Sequence, residues 1–156
     1  TGAVYPHRDL WSAGQSLLQD ADEDPDRSWY AYLGGLLLSY ASFEGLVKYW
    51  GKELYPEAWR DETKLGGTLG EHRFLAHSLR VHMDQSHRPY QSLRDLHALR
   101  NRMVHPRHEV IDRFEVTSFE EPGRVTDIPS MASQGQAHRV IDDLHEIGVE
   151  FYAAAR

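Results

Sequence analysis

The chain has no cysteine. Disulfide cross-links and thiolate zinc sites are therefore excluded. No apolar run reaches the roughly 20 residues needed to span a bilayer. The longest, around Leu33 to Tyr40, is interrupted by Gly34, Gly35 and Ser39. A charged-then-apolar leader is missing too, and the first residue is not Met. The expectation is a soluble, cytoplasmic protein without membrane contact, trimmed at its N-terminus or cut from a longer chain. Internal repeats and low-complexity tracts are absent. So is a glycine-rich phosphate loop, since the GGTLGEH stretch does not match one. The segments RHEVID and LHEIGVE lack the second histidine of a metalloprotease helix. His72, His77, His82 and His87 recur every five residues, a spacing that never puts two on one helix face. No metal site and no cofactor are expected from them.

Positive charge is also scarce. The 156 residues carry a formal net charge of −7, which argues against a broad, nonspecific nucleic-acid binder. The distribution is uneven. Between Arg88 and Arg113, six arginines (88, 94, 100, 102, 107 and 113) stand against Asp95, Glu109 and Asp112, giving +3 and leaving −10 on the rest. An acidic body with one basic, histidine-bearing segment can meet a phosphate locally. The same segment can equally be a charged helix flank.

What is present is helical periodicity. Arg8 to Ala21 predicts a first helix, with Leu10, Gly14, Leu17, Leu18 and Ala21 on one side, ended by the acidic turn around Pro25. Ser28 is a candidate cap for a long second helix, Trp29 to about Leu54, with a stripe through Leu33, Leu36, Tyr40, Phe43, Val47 and Trp50. Thr68 is a candidate cap for a third helix reaching about Met83. A fourth runs from Pro89 to Val104, with Leu93, Leu96, Leu99 and Met103 inward, and Pro106 stops it at His105. Phe114 to Ile128 alternates apolar and polar residues around EEPG and predicts a short hairpin or an extended loop. Gln136 to Ala155 predicts the last helix. The fold class is all-α, a single domain over 1–156 forming an antiparallel four- or five-helix bundle, with a small hairpin or loop insertion near 114–128.

The chemistry concentrates in LHALRNRMVHP, Leu96 to Pro106. Arg100 lies seven residues after Leu93 and three before Met103, so helical phase puts it inside or beside the apolar stripe. A guanidinium there needs a partner. On the second helix, Glu44 lies four residues after Tyr40 and three before Val47, again on the apolar side. It can pair with Arg100 across the interface, or with Lys48 one turn on. Asn101 and His105 are four apart and share a face. Arg100 and His105 are five apart, about 140° around a regular helix. The long arginine and the helix end before Pro106 can still bring both to one phosphate. Alternatively, His105 is a dipole contact at a helix C-terminus.

Arg100-Asn101-x-x-x-His105 near the end of the penultimate bundle helix resembles the signature of the HEPN family (higher eukaryotes and prokaryotes nucleotide-binding domains). That signature is an arginine, often followed by a polar residue, with four to six residues between the arginine and a histidine. SYASFEGLVKYW, Ser39 to Trp50, is similar to the family's long second helix, which often carries an acidic or polar residue where Glu44 stands. The closing helix is similar too, so the likeness covers roughly Trp11 to Tyr152. A hairpin at 114–128 is not a core family feature.

The resemblance implies a dimerising bundle whose two motifs face each other across a cleft, and a metal-independent ribonuclease acting on RNA. His105 would be the general acid or base, and Arg100 would stabilise the charged transition state. Asn101 would orient His105 or the phosphate. Arg102 and Arg107 would be accessory RNA contacts, with Glu44 in support. A toxin or antiviral effector with a cognate antitoxin is the biological role this implies. The alternative is a non-catalytic binding or dimerisation module beside a nucleotidyltransferase or other protein.

Overall fold

The computed structural model describes residues 6–26, 28–104 and 130–156. It is an all-α bundle. Its helices are α1 (Pro6–Glu23), α2 (Trp29–Leu54), α3 (Pro56–Trp59), α4 (Gly67–Ser78), α5 (Tyr90–Val104) and α6 (Gln134–Ala154). Short 3₁₀ turns at Glu62–Leu65 and Ser130–Ala132 precede α4 and α6. Among the described residues there is no strand. The expected hairpin at 114–128 lies outside them.

α2 is the central element and contacts α1, α4, α5 and α6. Its 26 residues bury the expected stripe, with Leu36, Tyr40 and Val47 fully enclosed. It also buries Tyr32, Gly35, Ser39 and Ser42 on its other sides. Small residues let α1 approach closely. A Cβ on Gly14 would lie 2.6 Å from Ser39 Oγ, and one on Gly35 would lie 2.9 Å from Leu18. His7 sits against Gly45 and Leu17 against Gly34, so α1 runs antiparallel to α2. α6 runs beside α2 in the same direction. At one end, Tyr32 Oη and His138 Nε2 both reach Asp22, each at 2.8 Å. Further along, the rings of Trp50 and Phe151 stack at 6.1 Å. Arg88 clamps α6 to the entry of α5, donating to the buried Asp143 carboxylate from Nε at 2.8 Å and from Nη2 at 2.7 Å. Ser92 donates to the same carboxylate.

α2 has the expected bounds with Ser28 at its N-cap position, but the Ser28 hydroxyl donates to the Asp24 carbonyl at 2.7 Å and makes no capping bond to the helix. Other helix boundaries differ from expectation. α4 is preceded by Gly66 at φ 80°, a left-handed conformation that glycine adopts without strain. Thr68 is therefore inside the helix rather than its cap. α4 ends at Ser78, five residues short of Met83, and Arg80 follows at φ 59°. Pro56 does not merely stop α2. It opens the short α3, as proline at a first helical position can.

His72 is fully buried, with the rings of Phe43, Tyr90 and Phe151 around it at 5.3, 5.8 and 4.9 Å. Neither ring nitrogen has a hydrogen-bond partner among the described residues. Burial pushes its pKa down to about 3, with Arg73 contributing. The unfolded chain therefore takes up this proton near pH 6.5, while the folded chain resists until about pH 3. The folded state loses stability as pH falls through that window, by at most about 1.4 kcal/mol per pH unit from this group. His72→Phe should flatten the acid side of the stability profile between pH 6.5 and 4. Urea unfolding at several pH values reads this directly, and identical slopes for the two proteins would contradict it.

Candidate functional site

The inward phase of Arg100 and Glu44 brings them together. Arg100 Nη2 lies 3.7 Å from Glu44 Oε2, with the two side chains 33% and 17% exposed. Of the two partners open to Glu44, Arg100 is the one at ion-pair distance. Lys48 instead lies 3.9 Å from the buried Glu71. The second carboxylate oxygen, Glu44 Oε1, accepts from Thr68 Oγ1 at 2.7 Å. Thr68 thus serves α2 rather than the backbone of its own helix.

On the other side, Arg100 Nη1 donates to Asn101 Oδ1 at 3.0 Å. Asn101 Nδ2 donates to His97 Nε2 at 2.9 Å, one helical turn back. His97 Nδ1 meets Tyr40 Oη at 2.5 Å, and the Glu44 charge and the Thr68 hydroxyl both act on the Tyr40 phenol. Six side chains from α2, α4 and α5 therefore close a ring: Glu44, Arg100, Asn101, His97, Tyr40 and Thr68. Burial holds the Tyr40 phenol well above its ordinary pKa, and the Glu44 charge adds to this. Burial also pulls the His97 imidazole below its ordinary value, with Arg100 working in the same direction and Glu44 against it.

Sequence reasoning had no place for His97, Tyr40 or Thr68 in the site. Tyr40 was absorbed into the apolar stripe and Thr68 into a cap. The available signal for His97 was its four-residue spacing from Asn101, which stacks the two on one helix face. Arg102 is exposed on the last turn of α5. Met103, expected inward, is 38% exposed, beyond the part of the stripe that α2 and α6 cover. His105 and Arg107 lie outside the described residues. The basic segment is largely neutralised where it is described. Arg88 faces Asp143, Arg94 faces Asp95 and Arg100 faces Glu44.

Chemically, the ring can present a rigid cation. A guanidinium has five N–H donors. Among the described residues, Arg100 has one hydrogen-bond acceptor, Asn101, and one counter-ion beyond hydrogen-bond range. Further N–H groups can therefore meet an anion while the side chain stays anchored. A groove of about 810 Å³ lined by Trp11, Leu46, Trp50 and Tyr152 among others lies between α1, α2 and α6. It shares no lining residue with the ring. Comparison with protein-family models, curated proteins and solved structures finds no match.

Glu44 engages two helices at once, α4 through the Thr68 hydrogen bond and α5 through the Arg100 ion pair. Glu44→Ala should lower the unfolding free energy by about 2 kcal/mol, the scale of a hydrogen bond to a charged group. Glu44→Gln, which can still accept from Thr68, should lose less. Urea titration of both variants measures the difference. Equal losses, or none, would mean that the contact does not tie α4 and α5 to α2.

Proposed function

We propose that this domain is a metal-independent endoribonuclease of the HEPN type, acting as a homodimer in which Arg100 and His105 of both copies form a composite site. The observation that supports it best is the anchored, one-third-exposed guanidinium of Arg100, held between Glu44 and Asn101 five residues before His105 in the chain. Its remaining donors match the charged oxygens of a phosphodiester. His105 takes the proton from a ribose 2′-hydroxyl. The 2′-oxygen then attacks the adjacent phosphorus and the 5′-oxygen leaves with a proton. The products are a 2′,3′-cyclic phosphate and a 5′-hydroxyl. Arg100 stabilises the extra negative charge on the pentacoordinate transition state. Asn101, with its amide engaged by Arg100 and His97, orients the arginine. Arg102 and Arg107 add phosphate contacts along the strand. A toxin or defence effector, partnered by an antitoxin, is the role that fits such an activity.

The pairing of Arg88, Arg94 and Arg100 with carboxylates favours a second reading. With those cations balanced, the acidic body would repel RNA, and the domain would serve as a non-catalytic dimerisation or binding module for a nucleotidyltransferase or another protein. Cleavage assays on single-stranded RNA in EDTA separate the two. The enzyme should leave cyclic phosphate ends, and His105→Ala or Arg100→Ala should reduce the rate at least 100-fold, the lower range for loss of a general acid–base group. A folded, dimeric wild type that cuts no RNA would favour the module. Cleavage that survives in His105→Ala would remove the role given to that residue.

A further inference from the structure

The hydrogen-bond ring has only one consistent polarity. An arginine can only donate, so Asn101 must turn Oδ1 toward Arg100 Nη1. Its Nδ2 then faces His97 Nε2, which must accept. The His97 proton is therefore on Nδ1, where it donates to Tyr40 Oη. Thr68, for its part, gives its one hydrogen to Glu44 Oε1. Glu44 only accepts, and it faces Arg100 as a counter-ion at 3.7 Å. From Arg100 through Asn101 and His97 to Tyr40, every hydrogen bond runs in one direction.

A proton on His97 Nε2 breaks this run. It would set two donors against each other at 2.9 Å. Turning the Asn101 amide to relieve that contact would aim Nδ2 at Arg100 Nη1, 3.0 Å away. We infer that His97, as the neutral tautomer protonated on Nδ1, is a positioning residue for the phosphate site. It locks the Asn101 amide, and through it the Arg100 guanidinium, in the orientation that faces a phosphate. The inference rests on the proposed function for its phosphate, but not for its geometry. The charged groups acting on the ring are Glu44 from α2 and Arg100 from α5, with Glu71 of α4 acting on Tyr40. Burial favours the neutral imidazole, which agrees with the polarity derived from hydrogen bonding.

Three readouts on the ¹⁵N-labelled chain test this. Two-bond ¹H–¹⁵N spectra at pH 7 should show His97 with Nδ1 protonated and Nε2 bare, and this is read in the wild type, independent of any variant folding. The Arg100 Nε–H order parameter should fall in His97→Leu and recover in His97→Gln, whose Oε1 can accept from Asn101 in place of Nε2. Titration with inorganic phosphate should show affinity about 3–10-fold weaker in His97→Leu and near wild type in His97→Gln, as loss of one hydrogen-bond link implies. A purely structural role would change the unfolding midpoint without this split. An Nε2-protonated ring, or an Arg100 equally ordered and equally avid in folded His97→Leu, would overturn the inference. Failure of the wild type to bind phosphate would refute the Arg100 phosphate site and the purpose assigned to His97. The tautomer and order readouts would separate that result from a failure of the ring itself.

Discussion

A guanidinium placed on the packed side of a helix must find acceptors, because an unpaired charge at partial burial is costly. Arg100 is in that position. The packing that buries Leu93, Leu96 and Leu99 also turns residue 100 toward α2. Glu44 meets it there because the phase of α2 that buries Tyr40 and Val47 also turns residue 44 inward. The rest of the ring follows from the one-way chemistry of arginine. Asn101 must present its oxygen, His97 must present a lone pair, and Tyr40 must accept. α4 contributes to the site by bringing Thr68 to the Glu44 carboxylate.

The same constraint operates at two other places, with a different outcome. Asp143 is 2% exposed and takes three hydrogen bonds from Arg88, two of them shared by Nε, and one from Ser92. Asp22 collects Tyr32, Gln134 and His138. In both clusters a carboxylate is surrounded by donors, which ties α6 to α5 and to the α1–α2 pair. Around Arg100 the balance is reversed. The donor-rich group is the cation, and it has few acceptors among the described residues. A cluster saturated with donors is a clamp, whereas a one-third-exposed cation with unmatched donors has capacity for an anion. That asymmetry, rather than the presence of charge, separates the candidate site from the structural ion pairs.

The Glu44–Arg100 contact was half legible: helical phase turned both residues inward but left Arg100 and Lys48 both open as partners of Glu44. Two long helices with clear stripes each carried one charge on the wrong side for a surface residue. The bundle was legible for the same reason. The ring's other members were not, because each had a sufficient local explanation. Tyr40 fits an apolar stripe, Thr68 fits a cap, and a lone histidine beside Leu96 fits a helix surface. Only the tertiary approach of α4 and α5 to α2 selects the long-range partner over the local one. Thr68 illustrates the competition. Gly66 in the left-handed region starts α4 without a side-chain cap, and the threonine hydroxyl is released to reach another helix. The short α3 was missed although Pro56 stands at its start, because four residues are too few to show a helical period, while proline is well suited to begin a helix.

The electrostatics place a demand on the site that the ring meets. The body of the chain is acidic, and the described arginines at 88, 94 and 100 each face a carboxylate. A field of this kind does not draw a polyanion from a distance as a basic cleft would. Any phosphate recognition here must be won at contact, from the geometry of a few N–H donors. A flexible arginine loses side-chain entropy on ordering around an anion. An arginine held by Glu44 on one side and by the Asn101–His97–Tyr40 relay on the other has lost that freedom on folding. Glu44 lowers the net charge of the site, yet by fixing the guanidinium it raises the fraction of encounters in which the donors already point the right way. In an acidic protein, order at the cation compensates for the weakness of the field.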